Sequence, residues 1–224
     1  MRIIDCRQFT NSLVPVPPAL FEAGICVPQD RFLSTPDASG NRNVDVNSVV
    51  NIVKAAGFQT PVIFDVELPN NQLETMAAVN GIMRCYSHTE HAFYNIFPAV
   101  GPDALQATKY PYDLKQWLIR QRQIAQIMKV KLLCPSLYCS NNPDDDARVI
   151  ALVTACLYDC HEIVMPFITN RVMGDAKGAL VPKNQLWNLM VACRECFNGC
   201  VAWTNPEEET DSTFTQCLLD FARM

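Results

Sequence analysis

Residues 60–71 read TPVIFDVELPNN, and the reading of this stretch decides the fold. Pro61 to Phe64 form a short apolar run that ends in two carboxylates, Asp65 and Glu67, and in a turn of Pro69, Asn70 and Asn71. A continuous apolar run closed by turn residues is the pattern of a parallel strand buried on both faces. Side chains alternate along a strand, so Ile63, Asp65 and Glu67 share one face. If Ile63 fills the inside of a barrel, both acids emerge above it, at the carboxyl end where such barrels gather their working groups. Two carboxylates in a poorly solvated place repel, so one is expected to hold its proton toward neutrality while the other stays charged. That suits one proton donor and one charged helper. The plainer alternative is that both acids solvate a strand end or cap the next helix.

Five further runs have the same character: RIIDCRQ (2–8), AGICVP (23–28), KLLCPSLY (131–138), EIVMPFI (162–168) and GCVAWT (199–204). Between them the apolar residues recur with helical period. Asp45 caps a helix striped by Val46, Val49, Val50 and Val53 and closed by Gly57, and Asp113 opens another through Leu114, Trp117, Leu118, Ile124 and Met128. A third opens at Asp144 or Asp145, a fourth carries Leu186, Leu189, Met190, Cys193 and Phe197, and FTQCLLDFAR ends the chain as a terminal helix. Strands alternating with helices predict an α/β fold with right-handed crossovers. With six strands in sight, the expectation is a TIM-barrel-like domain over residues 1–224, an irregular or reduced (β/α) barrel. A doubly wound sheet would announce itself by a phosphate loop, and neither GxGxxG nor GxxxxGK[ST] is present.

The other strand ends add polar and aromatic groups at the same level: Ser136 and Tyr138, Thr169 and Asn170, then Trp203, Thr204 and Asn205. A tryptophan at a strand end offers a flat apolar face to a sugar ring, and nearby hydroxyls and amides bond to sugar hydroxyls. Trp203, Asn205, Ser136 and Thr169 are therefore the candidate substrate contacts. Trp203 as ordinary core is the competing reading.

PVIFDVE resembles the D-x-E strand of barrel glycosidases that include the family 25 lysozymes. The order of elements from about residue 58 to 205 resembles the hyaluronidase-type barrel: the acid-bearing strand, a long excursion, the helix YDLKQWLIRQRQIAQIMKV, and a strand ending in tyrosine. The resemblance implies a glycoside hydrolase for an N-acetylated polysaccharide, peptidoglycan-like or related. Glu67 would protonate the leaving oxygen, Asp65 would orient an acetamido group or stabilise the developing positive charge, and Tyr138 would hydrogen-bond near that centre. No cofactor and no metal are expected. Rival expectations are a barrel that binds glycan or assembles without hydrolysis, and a hydrolase in which Asp65 and Glu67 hold a divalent ion.

Composition narrows the partners. The net charge is −5 with a pI near 5.2, and the eighteen Lys and Arg residues are scattered, which argues against nucleic acid. The longest apolar run, VIALVTACLY, is too short for a membrane span. MRIIDCRQFTN has polar groups where a secretory signal carries its apolar segment, so the expected setting is cytoplasmic, or virion-associated and released by lysis. Eleven cysteines, odd in number and mostly within apolar runs, read as reduced core residues, with Cys193, Cys196 and Cys200 as the one spacing that could offer three thiolates to a metal. In SHTEHAF, Ser87 with Glu90 reads as a capping box opening a helix.

Overall fold

The computed structural model describes residues 1–7, 20–57, 60–86, 88–95, 109–138, 142–157, 162–172, 179–204 and 212–224. Its strands are β1 (Arg2–Asp5), β2 (Glu22–Ala23), β3 (Ile25–Val27), β4 (Val62–Phe64), β5 (His91–Phe93), β6 (Leu132–Leu133), β7 (Ile163–Val164), β8 (Phe167–Ile168) and β9 (Gly199–Ala202). All the strand pairs are parallel. The helices are α1 (Val46–Ala56), α2 (Gln72–Met83), α3 (Pro111–Met128), α4 (Pro143–Leu157), α5 (Lys183–Cys196) and α6 (Ser212–Ala222).

The pairings lead round a ring. β1 pairs with β2, and the Gly24 amide donates to the Asp5 carbonyl at 3.0 Å, which carries the same strand into β3. β3 pairs with β4 and β4 with β5. A bridge from Tyr94 to Cys134 passes to β6, β6 pairs with β7, and a bridge from Ser136 to Phe167 passes to β8. β8 pairs with β9, and β9 returns to β1 with Arg2 opposite Gly199. The architecture is a TIM-barrel-like α/β ring, reduced and irregular, with β2–β3 and β7–β8 each acting as one interrupted strand.

Packing divides along the same alternation. Ile4, Cys26, Ile63, Ala92, Leu132, Met165 and Val201, from every part of the ring, form one buried cluster inside it. Their neighbours Ile3, Val27, Val62, Phe64, Leu133, Ile168 and Ala202 belong to the other cluster, under the helices. There they meet Val49 and Val53 of α1, Met76 and Val79 of α2, and Leu186 and Met190 of α5. Each such side chain contributes about 1.5–3 kcal/mol when fully buried, so this double-sided burial accounts for the unalternating apolar runs.

Local signals behave as the sequence indicates. Asp45 Oδ1 accepts from the Asn47 and Ser48 amides at 2.9 and 3.3 Å, and Gly57 closes α1 in the left-handed region at φ 83°. Gly199 has φ 150°, and a Cβ there would lie 1.9 Å from the Arg2 carbonyl oxygen, so the ring closes only on a bare backbone. Arg2 is bonded to Glu22 at 2.6 and 2.9 Å and also to Glu90, tying together the amino ends of β1, β2 and β5. Arg7 pairs with Asp5 at 2.8 Å and donates to Thr215 Oγ1 at 2.6 Å, which fastens β1 to α6.

One reading is corrected. His91–Phe93 is a strand in register with Val62–Phe64, not part of a helix, because Ala92 and Phe93 fill gaps on the two faces of the ring and tertiary burial overrides a local capping pattern. Ser87 lies outside the described residues. Helix α2, over Gln72–Met83, follows the turn at 69–71, a helix that its weak periodicity conceals. The hydrogen-bonded segments are also shorter than the apolar runs, since staggered strands in a ring overlap over only part of their length.

Candidate active site

Strand β4 ends at Phe64, but the Asp65 amide continues the ladder with a 2.9 Å bond to the Val27 carbonyl. Asp65 therefore keeps the inward direction of Ile63 and stands at the ring's carboxyl end. The segment beyond is held by its backbone: Gln72 Nε2 donates to the Val66 carbonyl at 2.6 Å, and the Glu67 amide donates to Gln29 Oε1 at 3.1 Å. Val66 is buried between the two acids, Asp65 is half-buried and Glu67 is exposed. Neither acid caps α2, which has Asn71 at its N-cap.

Burial, and then the neighbouring charge of Glu67, raises the Asp65 pKa to about 6. Its Oδ1 is shut off from solvent and has no hydrogen-bond partner among the described residues. The raised value makes a signed prediction about stability. Asp65 holds its proton more firmly in the folded chain than in the unfolded one, so the native state suffers no penalty at low pH and carries one as pH rises through about 6. Asp65→Asn is expected to raise the melting temperature at pH 8, by a free energy on the order of 1 kcal/mol given the group's partial solvation, and to have little effect at pH 4. Thermal melts of both proteins at the two pH values check this.

Around Asp65 stand the groups from the other strand ends. Tyr94 follows β5, and its ring lies 6.2 Å from that of Tyr138 and 4.9 Å, edge-on, from Phe167. Burial raises the Tyr94 hydroxyl to about 12, with the charges of Glu67 and Asp65 adding to the effect. Burial also pushes the Tyr138 hydroxyl well above the ordinary tyrosine range, and this hydroxyl, like Ser136 Oγ, is buried without an aligned hydrogen bond among the described residues. Tyr94, Tyr138 and Trp203 are the half-buried aromatics that cover the inner cluster. Thr169 is buried, on the strand beside that of Trp203. The structure thus gathers Asp65, Glu67, Ser136, Tyr138, Thr169 and Trp203 at one end of the ring, while Asn205 lies outside the described residues. Sequence reasoning missed Tyr94 because it missed the strand that carries it; the signal was available in the apolar pair Ala92–Phe93 just before it.

This arrangement can move a proton and bind a polar ligand. One carboxylate is poised near neutrality, a second is open to solvent, and two phenols and a serine hydroxyl surround them. The thiols beneath are poor nucleophiles: burial raises Cys26 to about 12 and pushes Cys6 and Cys134 well above the ordinary thiol range. Cys193 and Cys200 are buried together under the helices while Cys196 faces solvent, and no three His, Cys, Asp or Glu side chains among the described residues converge as metal ligands. No helix among the described residues is long and apolar enough to cross a membrane.

No protein-family model matches the chain. No curated protein matches it either. Solved structures do. Bee venom hyaluronidase superposes with a TM-score of 0.66 at 9% identity, covering 98% of this chain and 95% of that one. The same enzyme in complex with a hyaluronic acid tetramer gives 0.54 at 10% identity, over 88% and 84%. An archaeal fructose-1,6-bisphosphate aldolase gives 0.51 at 9% identity, over 91% and 72%. At such identities the likeness is one of fold, and it places the chain among TIM-barrel architectures.

Proposed function

We propose that this barrel is a glycoside hydrolase acting on an N-acetylated polysaccharide. The observation that carries the reading is the half-buried Asp65, raised to about 6 beside Glu67, in a ring mouth rimmed by Tyr94, Tyr138 and Trp203. The fold likeness to a hyaluronidase, which in one structure holds a hyaluronic acid tetramer, supports the substrate class over a sugar phosphate. Trp203 supplies the face for a sugar ring.

In the reaction, the acetamido oxygen of the substrate attacks the anomeric carbon as the glycosidic C–O bond breaks. The Glu67 carboxyl gives its proton to the departing oxygen. Ionised Asp65 accepts a hydrogen bond from the acetamido N–H and opposes the positive charge that grows on the ring so formed. The Tyr138 hydroxyl, buried without an aligned hydrogen bond among the described residues, donates to the acetamido oxygen. Water then opens the cyclic intermediate and its proton returns to Glu67, so the anomeric configuration is retained after two inversions.

The reaction needs Asp65 ionised, so that it can accept the acetamido N–H and oppose the growing positive charge. Asp65 gives up its proton as pH rises through about 6. Accordingly, kcat/KM is expected to rise about tenfold per pH unit up to that point, and in Asp65→Asn this rising limb is lost. The test is release of reducing ends from hyaluronan, chondroitin and peptidoglycan across pH 4–8. Absence of cleavage throughout this panel, with binding retained, would turn the reading to a glycan-binding barrel; activity lost in chelator and restored by added ions would turn it to metal-assisted hydrolysis.

A further inference from the structure

On the opposite side of the ring, at the amino ends of β5 and β6, lies a cavity of about 170 Å³. Arg84 ends α2, Lys129 follows α3 in the left-handed region at φ 46°, and Lys131 leads into β6. All three are exposed and line the cavity, and none forms an ion pair among the described residues. The carboxylate on the wall, Glu90, is bonded to Arg2. A chain of net charge −5 thus gathers three unneutralised cations at one small concavity.

Two of these cations have a purely structural reason to be there, since Arg84 and Lys129 follow helix carboxyl ends, where positive charge is favoured. The partial charges of two helix ends sum to about one negative unit, and Arg2, shared between Glu22 and Glu90, leaves about one more, so roughly one positive unit stays uncompensated. Lys131 belongs to neither helix end. The floor is fixed: Asn80, 4% exposed, donates to the Met128 carbonyl, and its Oδ1 lies 2.9 Å from His91 Nε2. Cations carried by two separate segments, Arg84 on one and Lys129 with Lys131 on the other, around a firm polar floor suit an anion with several oxygen faces better than a flat carboxylate. The volume, well below the 300–1,000 Å³ usual for larger organic ligands, suits a small one.

We propose that this cavity is a binding site for a phosphate group, remote from the carboxylate pair and independent of what that pair does. Arg84 supplies charge and hydrogen-bond donors from the end of α2, and Lys129 and Lys131 supply them from the connection between α3 and β6. The phosphate is either free or part of a small monoester. Titration calorimetry of the full chain with inorganic phosphate, and separately with glycerol 3-phosphate, at ionic strength held constant with sodium chloride, tests this. The expected result is saturable phosphate binding that weakens at least tenfold in Arg84→Gln/Lys131→Gln and is unchanged in Glu67→Gln. Tighter binding of glycerol 3-phosphate identifies the monoester, and equal or weaker binding identifies free phosphate. Because the two altered side chains are exposed, circular dichroism should show the double variant folded; Lys131→Ala alone, with at least a threefold loss, serves if it is not. Heat indistinguishable from that of sodium chloride, or equal binding by wild type and a folded variant, overturns the proposal.

Discussion

Glu67→Gln is expected to lower kcat/KM on an N-acetylated polysaccharide by about a thousandfold, within the range usual for removal of a positioned general acid. The amide matches the carboxyl in shape but has no proton to give to a departing oxygen. Glu67 is exposed, and its side chain makes no hydrogen bond among the described residues, so the substitution should leave the melting temperature and polysaccharide affinity where they were. A substrate whose leaving group departs as a stable anion needs no such proton. On a nitrophenyl N-acetylglycoside the loss should therefore shrink to about tenfold. Equal losses on both substrates would move the proton-donor role elsewhere, with Asp65 first in line because its pKa is the one raised toward neutrality.

Gly199→Ala should have the largest effect on stability. The added methyl would stand 1.9 Å from the Arg2 carbonyl oxygen, in a backbone conformation at φ 150° that side chains disfavour. The obstruction is main chain, so no rotamer change relieves it, and the register of Arg2 with Gly199 must break or shift. Backbone strain and overpacking each cost about 1–3 kcal/mol, so a combined loss of about 4 kcal/mol is expected, a large part of the stability of any domain. A denaturant midpoint falling at constant slope records it. Gly57→Ala separates the two causes: it too has positive φ, at 83°, but no atom lies within 4 Å of the new carbon. It should cost about 1 kcal/mol.

Much of the ring is legible in the sequence because buried parallel strands announce themselves as apolar runs between turn residues. VIF, LL and GCVA all lie inside such runs. Asp45 and Gly57 mark α1 by capping chemistry that depends only on neighbours. His91–Phe93 was hidden for the opposite reason: three residues between His88, Glu90 and Asn95 are too few to show a period, and what makes them a strand is the ladder of β4 beside them. The site follows suit. Asp65, Ser136, Thr169 and Trp203 could be placed at one level because their strands could be counted, whereas Tyr94 came into view only with its strand. The order of the two acids along the strand puts Asp65 nearer the interior, but how far each is buried depends on where the pleat passes the rim.

The join between Arg2 and Gly199 also bears on how the molecule is made. At about 5–20 residues per second of synthesis, roughly 10–40 s separate the appearance of these two partners from the ribosome. During that interval β1 has no β9 to pair with, and its free amide and carbonyl groups are open to any neighbouring extended chain. Nascent copies on one message would be exposed to association through that edge, and a chaperone that shields the first strand until the last emerges should raise the soluble yield.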